Sequence, residues 1–356
     1  MKTVRLILAG LGFVNRGLIR ILIDKEAELA RSSGIRFKVT GVADSSGVAL
    51  DTAGFSLPAL LELKNRGDKA ADLPGFSSGL RTEDFAGTGI GDVLVESTPA
   101  NMIDGGPGLV AARNALLARV PVVFANKAPL VFAFDELHQL AAGTGGGPYE
   151  TTEPVRIEYS ATVCGGLPVV NVIRRDLRFA GIKRVRGIMN ATTNYILEIL
   201  GKGGDFDEAV REAQRIGAAE ADPSYDINGN DTANKLFIVM KTIGGYQGHP
   251  LETSLTGIRN ITAADLAAAN SRGNTIKLVA CAHLEDRRGW SLRVAPEEIP
   301  ADSFLGSCNG WEMGVEIESE LYERVCLKNY EADPLGTSAA VLRDVLSVVG
   351  EPSNGR

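Results

Sequence analysis

Short apolar runs alternate with amphipathic segments through about residue 145 of this 356-residue chain. The runs cover residues 4–9, 37–43, 92–96 and 120–125, and a segment with helical periodicity follows each of them. Continuous apolar runs are typical of strands buried on both faces. Strand–helix alternation builds a parallel sheet with right-handed crossovers. The pattern therefore predicts an α/β fold with a parallel sheet in its N-terminal part.

The pattern changes after the Gly-rich stretch of residues 143–148. Helical segments are expected at residues 168–176, 194–200, 206–216, 231–243 and 337–348. Short strands are expected at residues 156–160, 276–281, 291–294 and 314–318. This mixture predicts an α+β second domain rather than a continuation of the parallel sheet.

A glycine turn, Gly10-Leu11-Gly12, lies between the first predicted strand and the first predicted helix. The first glycine permits a tight turn and the second lets the backbone approach a pyrophosphate, while the helix N-terminus offers free N–H groups and partial positive charge. The usual third glycine is replaced by Asn15, and Gly17 follows two residues later. The context predicts a Rossmann-like dinucleotide-binding domain, with a purely structural turn as the alternative.

An acidic residue, Asp44, ends the second predicted strand, where a carboxylate can bind the ribose hydroxyls of NAD. Ser45 and Ser46 follow it, and no Arg stands there to hold a 2′-phosphate, which favours NAD. Lys64 can reach an adenosine phosphate, so NADP remains the second cofactor hypothesis, and a solvated helix charge is the alternative for this lysine.

The charge and cysteine patterns narrow the class of protein further. The net charge is −7 and no dense basic run is present, which argues against nucleic acid as the main partner. The four cysteines form no CxxC pair, which indicates reduced thiols rather than a metal finger. No run approaches the ~18 apolar residues of a membrane span, and the apolar N-terminal run is too short for a signal peptide. We expect a cytoplasmic protein without a membrane partner.

The densest polar cluster of the sequence begins near residue 220 and ends at Lys235. Its carboxylates are those of Glu220, Asp222, Asp226 and Asp231. Asp231 and Lys235 are four residues apart and share a helix face, and the helix then turns apolar, so Lys235 is expected between a core and a polar pocket. Asn126-Lys127 ends a parallel strand, where such sheets bind ligands. The alternative for the cluster is an N-capped helix with a surface ion pair.

These motifs occur in the order and spacing of homoserine dehydrogenases, which the chain resembles from about residue 4 to about residue 348. The matching segments are Gly10-Leu11-Gly12, Ser97-Thr98-Pro99, Ala125-Asn126-Lys127, residues 161–168 (ATVCGGLP), residues 187–197 (GIMNATTNYIL) and residues 219–223 (AEADP), followed by Asp226, Gly229, Asp231 and Lys235. The stretch from Glu220 to Lys235 is the most specific of them, and the glycine turn is the least specific.

The resemblance implies an NAD(P)-dependent oxidoreductase that interconverts L-aspartate 4-semialdehyde and L-homoserine in threonine, methionine and isoleucine biosynthesis. It implies that Lys235 is the general acid/base and that Lys127 lies near both nicotinamide and substrate. The implied substrate contacts are Glu220, Asp226, Asp231, Thr192 and Gly165. The implied cofactor contacts are Gly10, Gly12, Phe13, Val14, Asp44, Thr98, Pro99 and Lys127.

The resemblance also implies a monovalent cation, Na⁺ or K⁺, bound mostly by backbone carbonyls of the loop at residues 161–167. Its ligands would be Val163, Gly165 and Leu167. The chain departs from the family here and elsewhere. It has Ser160 where a Glu is frequent (with Glu158 two residues earlier), and Cys164 and Ala191 where Gly is usual. Residues 331–336 (EADPLG) replace a Gly-rich stretch.

The domain organisation implied by the resemblance has four parts. Residues 1–150 bind NAD(P), residues 151–316 form the catalytic and dimerisation domain, residues 317–348 pack back on the nucleotide domain, and residues 349–356 form a tail. We expect a homodimer of the short, monofunctional form without a regulatory domain. Two alternatives are retained: a related amino-aldehyde reductase of the same fold, and a non-catalytic nucleotide sensor on a dehydrogenase scaffold.

Overall fold

The computed structural model describes residues 1–144, 153–215, 219, 222–285 and 289–350. The chain forms two compact units. The first unit comprises residues 1–166 together with the chain from residue 333 onward, and the second unit comprises Leu167–Ala332. The chain passes from the first unit to the second after residue 166 and returns at residue 333, whereas the sequence predicted domain boundaries at residues 150 and 316.

Helices and strands are numbered here in chain order. The helices are α1 Phe13–Asp24, α2 Glu26–Ser33, α3 Leu57–Asn65, α4 Gly106–Leu117, α5 Ala128–Ala142, α6 Val169–Asn171, α7 Ala191–Gly201, α8 Phe206–Arg215, α9 Ser224–Ile227, α10 Asn230–Ile243, α11 Ala263–Ser271 and α12 Leu335–Val349. The strands are β1 Lys2–Ala9, β2 Ile35–Asp44, β3 Gly47–Leu50, β4 Phe76–Ser77, β5 Val93–Glu96, β6 Val122–Phe124, β7 Ile157–Glu158, β8 Ile182–Ile188, β9 Ser254–Leu255, β10 Asn274–Glu285, β11 Gly289–Pro300, β12 Glu312–Ser319 and β13 Glu323–Tyr330.

The first unit is built on a seven-stranded sheet in the order β4-β3-β2-β1-β5-β6-β7. Strands β2, β1, β5, β6 and β7 are parallel, which confirms the Rossmann-like fold class predicted from the apolar runs. The short strands β3 and β4 add an antiparallel edge that the sequence pattern did not predict. The carboxyl ends of β1, β2, β5 and β6 lie along one edge of this sheet, and the candidate site residues of the first unit follow them.

The last helix, α12, belongs to the core of the first unit. Val341 and Val345 are fully buried in the same apolar cluster as Leu18 of α1 and Val95 of β5. Full burial of a valine contributes roughly 1.5–3 kcal/mol, so the C-terminal helix is held by packing. The chain returns to the first unit at residue 333, whereas the sequence predicted a returning segment from residue 317.

The second unit contains a six-stranded sheet in the order β13-β12-β8-β10-β11-β9. Its pairs are antiparallel except for β9 with β11. Strand β13 was not predicted, because its residues alternate only between exposed and half-buried positions and several of them are charged. The predicted helix at residues 168–176 is a single α-helical turn, α6, followed by a π-helical turn, Val172–Asp176.

Helix α10 lies largely in the core of the second unit, and nine of its fourteen residues are buried. It packs against β10 and β11 of the sheet. Across the described ranges, no helix is both long enough and apolar enough to cross a bilayer.

Candidate active site

The glycine turn of the first unit has the geometry that a nucleotide pyrophosphate requires. Gly10 adopts a φ of +85°, and a Cβ at this position would lie 2.6 Å from the carbonyl oxygen of Ser97, so only glycine fits. Gly12 is the N-cap of α1 and has no side-chain capping bond, and a Cβ placed on Gly12 would meet nothing within 4 Å. Open space therefore lies beside Gly12 at the N-terminus of α1, and a helix N-terminus suits a phosphate group.

The usual third glycine of the turn is absent, and Asn15 and Gly17 stabilise the turn and the packing of α1 in its place. Asn15 is fully buried, and its Nδ2 donates a hydrogen bond to the Gly10 carbonyl oxygen over 2.7 Å. A Cβ on Gly17 would overlap the Ser338 hydroxyl of α12, which donates to the Val14 carbonyl oxygen over 2.8 Å. Close helix packing thus relies on Gly17, while Asn15 ties the turn together.

The Asp44 carboxylate, predicted to bind ribose, is hydrogen-bonded within the chain. Oδ1 accepts from the Ser46 backbone N–H over 2.9 Å and from its hydroxyl over 2.6 Å. Oδ2 accepts from the Ala70 N–H over 3.0 Å and forms an ion pair with Lys64 Nζ over 3.1 Å. Burial acts to raise the pKa of Asp44, but these hydrogen bonds outweigh it and lower that pKa. The carboxylate stays negative at the end of β2, and Lys64 is its partner.

The ends of β5 and β6 carry a second group of predicted contacts. Thr98 donates its backbone N–H to Glu96 Oε1 over 2.9 Å, and its hydroxyl also donates to that oxygen. Asn126 Nδ2 donates to the Thr98 hydroxyl oxygen over 3.3 Å, and Asn126 Oδ1 accepts from the Ala128 N–H over 2.9 Å. Lys127 lies between these residues, half-buried, as the N-cap of α5. The structure brings Thr98 and Lys127 together through Asn126.

Of the remaining predicted cofactor contacts of the first unit, Val14 is half-buried against the core, and Phe13 and Pro99 lie at the surface. Phe13 is 72% exposed at the start of α1, and the Arg16 guanidinium lies 4.8 Å from the centre of its ring. Pro99 is exposed directly after Thr98. These side chains are accessible to a ligand at the carboxyl edge of the sheet.

The loop predicted to bind a cation begins with a 3₁₀ turn, Ser160–Thr162. Cys164 and Gly165 both have positive φ, +55° and +56°, so Cys164 adopts the conformation for which glycine is usual at this position. Val163 and Gly165 belong to the first unit, and Leu167 is the first residue of the second. In the described part of the chain, no group of three or more His, Cys, Asp or Glu side chains is arranged to hold a metal ion.

Ser160, at the start of the loop predicted to bind a cation, is hydrogen-bonded to a carboxylate from α12. Its N–H and hydroxyl donate to Asp344 over 2.8 and 2.6 Å. Burial raises the pKa of Asp344 to about 6, and nearby Glu158 adds to the increase. An acidic group thus lies beside the start of the loop, but α12 supplies it.

In the second unit, Asp231 and Lys235 form an ion pair on α10. The two side chains are 6% and 16% exposed, and Nζ lies 2.7 Å from Asp231 Oδ2. Nζ also donates to the Met189 carbonyl oxygen over 2.8 Å, at the end of β8. The alternative of a surface ion pair is therefore wrong: this lysine is held between a helix and the sheet.

Asn190 joins the two predicted carboxylates and was not singled out from the sequence. Its Nδ2 donates to Asp226 Oδ1 and to Asp231 Oδ2, each over 2.8 Å. Its Oδ1 accepts from the Thr193 N–H over 2.8 Å, which makes Asn190 the N-cap of α7. The only sequence signal was an asparagine before a predicted helix, which indicates a cap and not a link between carboxylates. Thr192, a predicted substrate contact, lies in the first turn of that helix.

The environment of Tyr225 shows that this cluster is electrostatically negative. Burial raises the pKa of Tyr225 strongly, and the charges of Asp231 and Asp226 raise it further. Asn234 of α10 donates its side-chain amide to the Tyr225 hydroxyl. Glu220, the other predicted carboxylate, lies outside the described residues. A negative site with one half-buried lysine suits a ligand that carries an ammonium group and an oxygen that must gain or lose a proton.

Comparisons with known proteins show which family this chain resembles. A family model described as homoserine dehydrogenase matches residues 168–346. Homoserine dehydrogenase of Methanocaldococcus jannaschii is 33% identical over 344 residues, 96% of this chain and 98% of that protein. The NAD(+)-dependent homoserine dehydrogenase of Pseudomonas canavaninivorans is 28% identical over 349 residues, 98% of this chain and 97% of that one.

A solved structure extends the likeness to three dimensions. The structure of a hyperthermophilic archaeal homoserine dehydrogenase in complex with NADPH superposes with a TM-score of 0.80 at 26% identity. The match covers 99% of this chain and 100% of that one. The likeness therefore includes both compact units.

Proposed function

The chain belongs to the homoserine dehydrogenase family, and from this premise we propose that it interconverts L-aspartate 4-semialdehyde and L-homoserine with Lys235 as the general acid/base. The observation that carries the proposal is the hydrogen-bonded set of Lys235, Asp231, Asn190 and Asp226 in the second unit. It combines one half-buried lysine with two carboxylates, the groups that an amino-aldehyde substrate requires. The reaction belongs to the biosynthesis of threonine, methionine and isoleucine, where we propose that this enzyme acts in the cytoplasm.

The residues of the first unit fit a nicotinamide dinucleotide. The open N-terminus of α1 would hold the pyrophosphate, with Gly10 and Gly12 shaping the turn. Thr98 and Lys127 would contact the nicotinamide half at the ends of β5 and β6. When bound, the cofactor supplies or accepts the hydride at the carbon of the aldehyde or alcohol.

Lys235 moves the proton of the reaction. As the aldehyde is reduced, its carbonyl oxygen gains negative charge, and the Lys235 ammonium stabilises that charge and donates a proton to form the hydroxyl. In the oxidation of homoserine, the same Nζ accepts the hydroxyl proton. Met189 and Asp231 hold Nζ in place for both directions.

The carboxylates bind and orient the substrate. Asp226 and Asp231 attract its α-ammonium group, and Asn190 sets the spacing between them because one amide nitrogen bonds to both. Glu220 and Thr192 are the further substrate contacts that we propose. Gly165 is the substrate contact we propose on the loop that precedes the second unit.

NAD is the better cofactor in this proposal. The Asp44 carboxylate is negative and only partly buried at the end of β2, so it repels a 2′-phosphate, and Lys64 is engaged with Asp44. One relative is named NAD(+)-dependent, while a similar structure contains NADPH. Those names describe the other proteins, so the preference of this chain rests on Asp44.

We propose two further properties from the resemblance. A monovalent cation, Na⁺ or K⁺, would bind backbone carbonyls at Val163 and Gly165, where positive φ at Cys164 and Gly165 turns the loop. The enzyme would be a homodimer formed through its second unit. Exposed apolar side chains there support the dimer: Phe179, Leu321 and Tyr322 lie close in the fold, because the Leu321 N–H donates to Ala180.

The decisive experiment is a steady-state assay of homoserine oxidation by the purified protein, with NAD and NADP, in the presence of Na⁺, K⁺ or neither. We expect NAD reduction that depends on homoserine and a higher rate with NAD. A preference for another amino alcohol would support the related reductase. Cofactor binding without turnover of any amino alcohol would support the nucleotide sensor. Sedimentation velocity on the same sample tests the dimer, and a monomer would contradict it.

A further inference from the structure

Glu96 is a buried carboxylate that the proposed chemistry does not use. It is the last residue of β5 and has no exposed surface. Oε1 accepts both the N–H and the hydroxyl of Thr98, whereas Oε2 is buried without a hydrogen-bond partner among the described residues. Helix α4 makes room for this side chain, because a Cβ on Gly108 would lie 2.6 Å from Oε1.

No cation balances this charge in the described part of the chain. Burial raises the pKa of Glu96 to about 7, and the hydrogen bonds from Thr98 oppose that increase. A buried acid without a cationic partner is costly, and an apolar side chain at such a position is often neutral or stabilising. Stability therefore does not explain why a glutamate occupies position 96.

The hydrogen bonds of Glu96 lead to the predicted nicotinamide contacts. Oε1 already accepts the Thr98 backbone N–H and therefore acts as an acceptor, so the hydroxyl of Thr98 donates its one proton to the same oxygen. Asn126 then donates to the Thr98 oxygen over 3.3 Å and accepts from the first N–H of α5 over 2.9 Å. Lys127 is the N-cap between them. Glu96 thus determines the direction of the Thr98 hydroxyl and supports the backbone that carries Lys127.

We propose that Glu96 is a positioning residue of the cofactor site, which orients the Thr98 hydroxyl oxygen as an acceptor for the carboxamide N–H of the nicotinamide. Such an orientation distinguishes a carboxamide, which donates, from a group of similar size that cannot donate. The inference rests on the proposed function, because that proposal assigns Thr98 to the nicotinamide half of the cofactor. It adds a residue that has no exposed surface and acts only through Thr98.

The test measures dissociation constants by fluorescence titration of the enzyme with NADH and with reduced 3-acetylpyridine adenine dinucleotide, in which a methyl group replaces the amide nitrogen. We expect the wild type to bind NADH about tenfold more tightly, because loss of one buried hydrogen bond costs about 1 kcal/mol or slightly more. Glu96→Leu and Thr98→Val should each bring the two constants within about twofold. Glu96→Gln and Thr98→Ser, which retain the acceptor and the hydroxyl respectively, should restore most of the discrimination.

The double variant Glu96→Leu/Thr98→Val separates positioning from general loosening of the fold. If Glu96 acts through the Thr98 hydroxyl, the double variant should have the same ratio of dissociation constants for the two cofactors as Thr98→Val alone. Asp92→Asn is the matched control: Asp92 precedes the same strand at its opposite end and bonds to Arg5 over 2.6 Å. This control should keep the full tenfold discrimination.

Three results would overturn the inference. The first is equal discrimination in wild type, Glu96→Leu and Thr98→Val, and the second is loss of discrimination in the Asp92→Asn control. The third is a Thr98→Val variant that prefers NADH over the acetylpyridine analogue as strongly as the wild type does. If Glu96→Leu does not fold, Thr98→Val and Glu96→Gln provide the test. Failure of the proposed function is recognised separately, because the wild type would then not oxidise homoserine, whatever its dissociation constants.

Discussion

The two compact units hold their functional groups by different physical means. In the first unit, the glycine turn would offer backbone N–H groups to the cofactor, and the buried Glu96 accepts only from neutral donors. In the second unit, Asp226, Asp231 and Lys235 bring charges of both signs together. A cofactor that carries its own hydride chemistry needs orientation, whereas an amino-aldehyde substrate needs opposite charges and a proton donor.

The same contrast is visible in two buried carboxylates. Glu96 has no cationic partner in the described structure, and burial raises its pKa to about 7. Asp231 shares Oδ2 between the Lys235 ammonium and the Asn190 amide. Substitutions in one unit should therefore change cofactor binding or pH-dependent stability, and substitutions in the other should change turnover.

The largest effect is expected for Lys235→Ala. Loss of the proton donor should lower kcat for homoserine oxidation by about 10³-fold, the middle of the range for general acid–base catalysis. The dissociation constant for NADH should change less than twofold. Lys241→Ala is the matched control, since Lys241 lies on the same helix and bonds to the Tyr246 carbonyl oxygen over 3.2 Å; its kcat should be close to that of the wild type. Loss of NADH binding together with the loss of kcat in Lys235→Ala would show that cofactor binding and proton transfer are not separated between the two units.

The next effect concerns stability and pH in the first unit. The folded-state pKa of Glu96 is about 7 against 4.5 for an ordinary glutamate. The unfolded chain therefore loses this proton first as pH rises, and stability falls between about pH 4.5 and 7. The loss amounts to about 3 kcal/mol. Glu96→Gln should remove this part of the pH dependence, as measured by urea unfolding at pH 5 and pH 7.5. An unchanged difference between the two pH values would refute the buried, ionisable state of Glu96.

A smaller effect is expected for Asn190→Ala. Two hydrogen bonds to carboxylates are lost, and Asp226 and Asp231 then repel each other without the amide between them. Hydrogen bonds to charged groups contribute about 1.5–3 kcal/mol, so kcat/KM for homoserine should fall by roughly thirtyfold while NADH binding is retained. Asn190→Asp, which keeps the shape but cannot donate, should be impaired at least as much. Normal kinetics in Asn190→Asp would contradict the role of the amide.

The smallest effect is expected for Asp44→Ala. Removal of the carboxylate relieves repulsion of a 2′-phosphate and releases Lys64 from its ion pair. Partly exposed charges interact by up to about 1 kcal/mol, so the ratio of kcat/KM for NADP to that for NAD should rise by roughly fivefold. Lys64→Ala, measured alongside, should not raise that ratio. A rise in both variants would mean that Asp44 does not determine the cofactor preference.

Much of the fold was predictable because its signals are local. The apolar runs that became β1, β2, β5 and β6 are buried on both faces, and such strands need no partner information to be recognised. Strand β13 gave no such signal, because its residues are exposed or half-buried at an edge of the second sheet. The short antiparallel strands β3 and β4 depend on pairing with β2, which is not visible in their own composition.

The candidate site was predictable as a set of residue types but not as a network. The spacing of Asp231 and Lys235 already predicted a shared helix face, and the structure has the ion pair at 2.7 Å. The link through Asn190 was not predictable, because it joins residues that are 36 and 41 positions apart. The hydrogen bond between Ser160 and Asp344 was likewise not predictable, because the two residues are 184 positions apart.

The sequence by itself determined the parallel sheet, the glycine turn and the pairing of a lysine with nearby carboxylates, because each depends on the order of residues within one or two elements. Only the tertiary structure decided that Asn15 ties the turn, that Gly17 is needed for packing against α12, and that Glu96 directs Thr98. The physical reason is that buried polar groups must find partners wherever the fold supplies them. In this chain several of those partners come from distant elements.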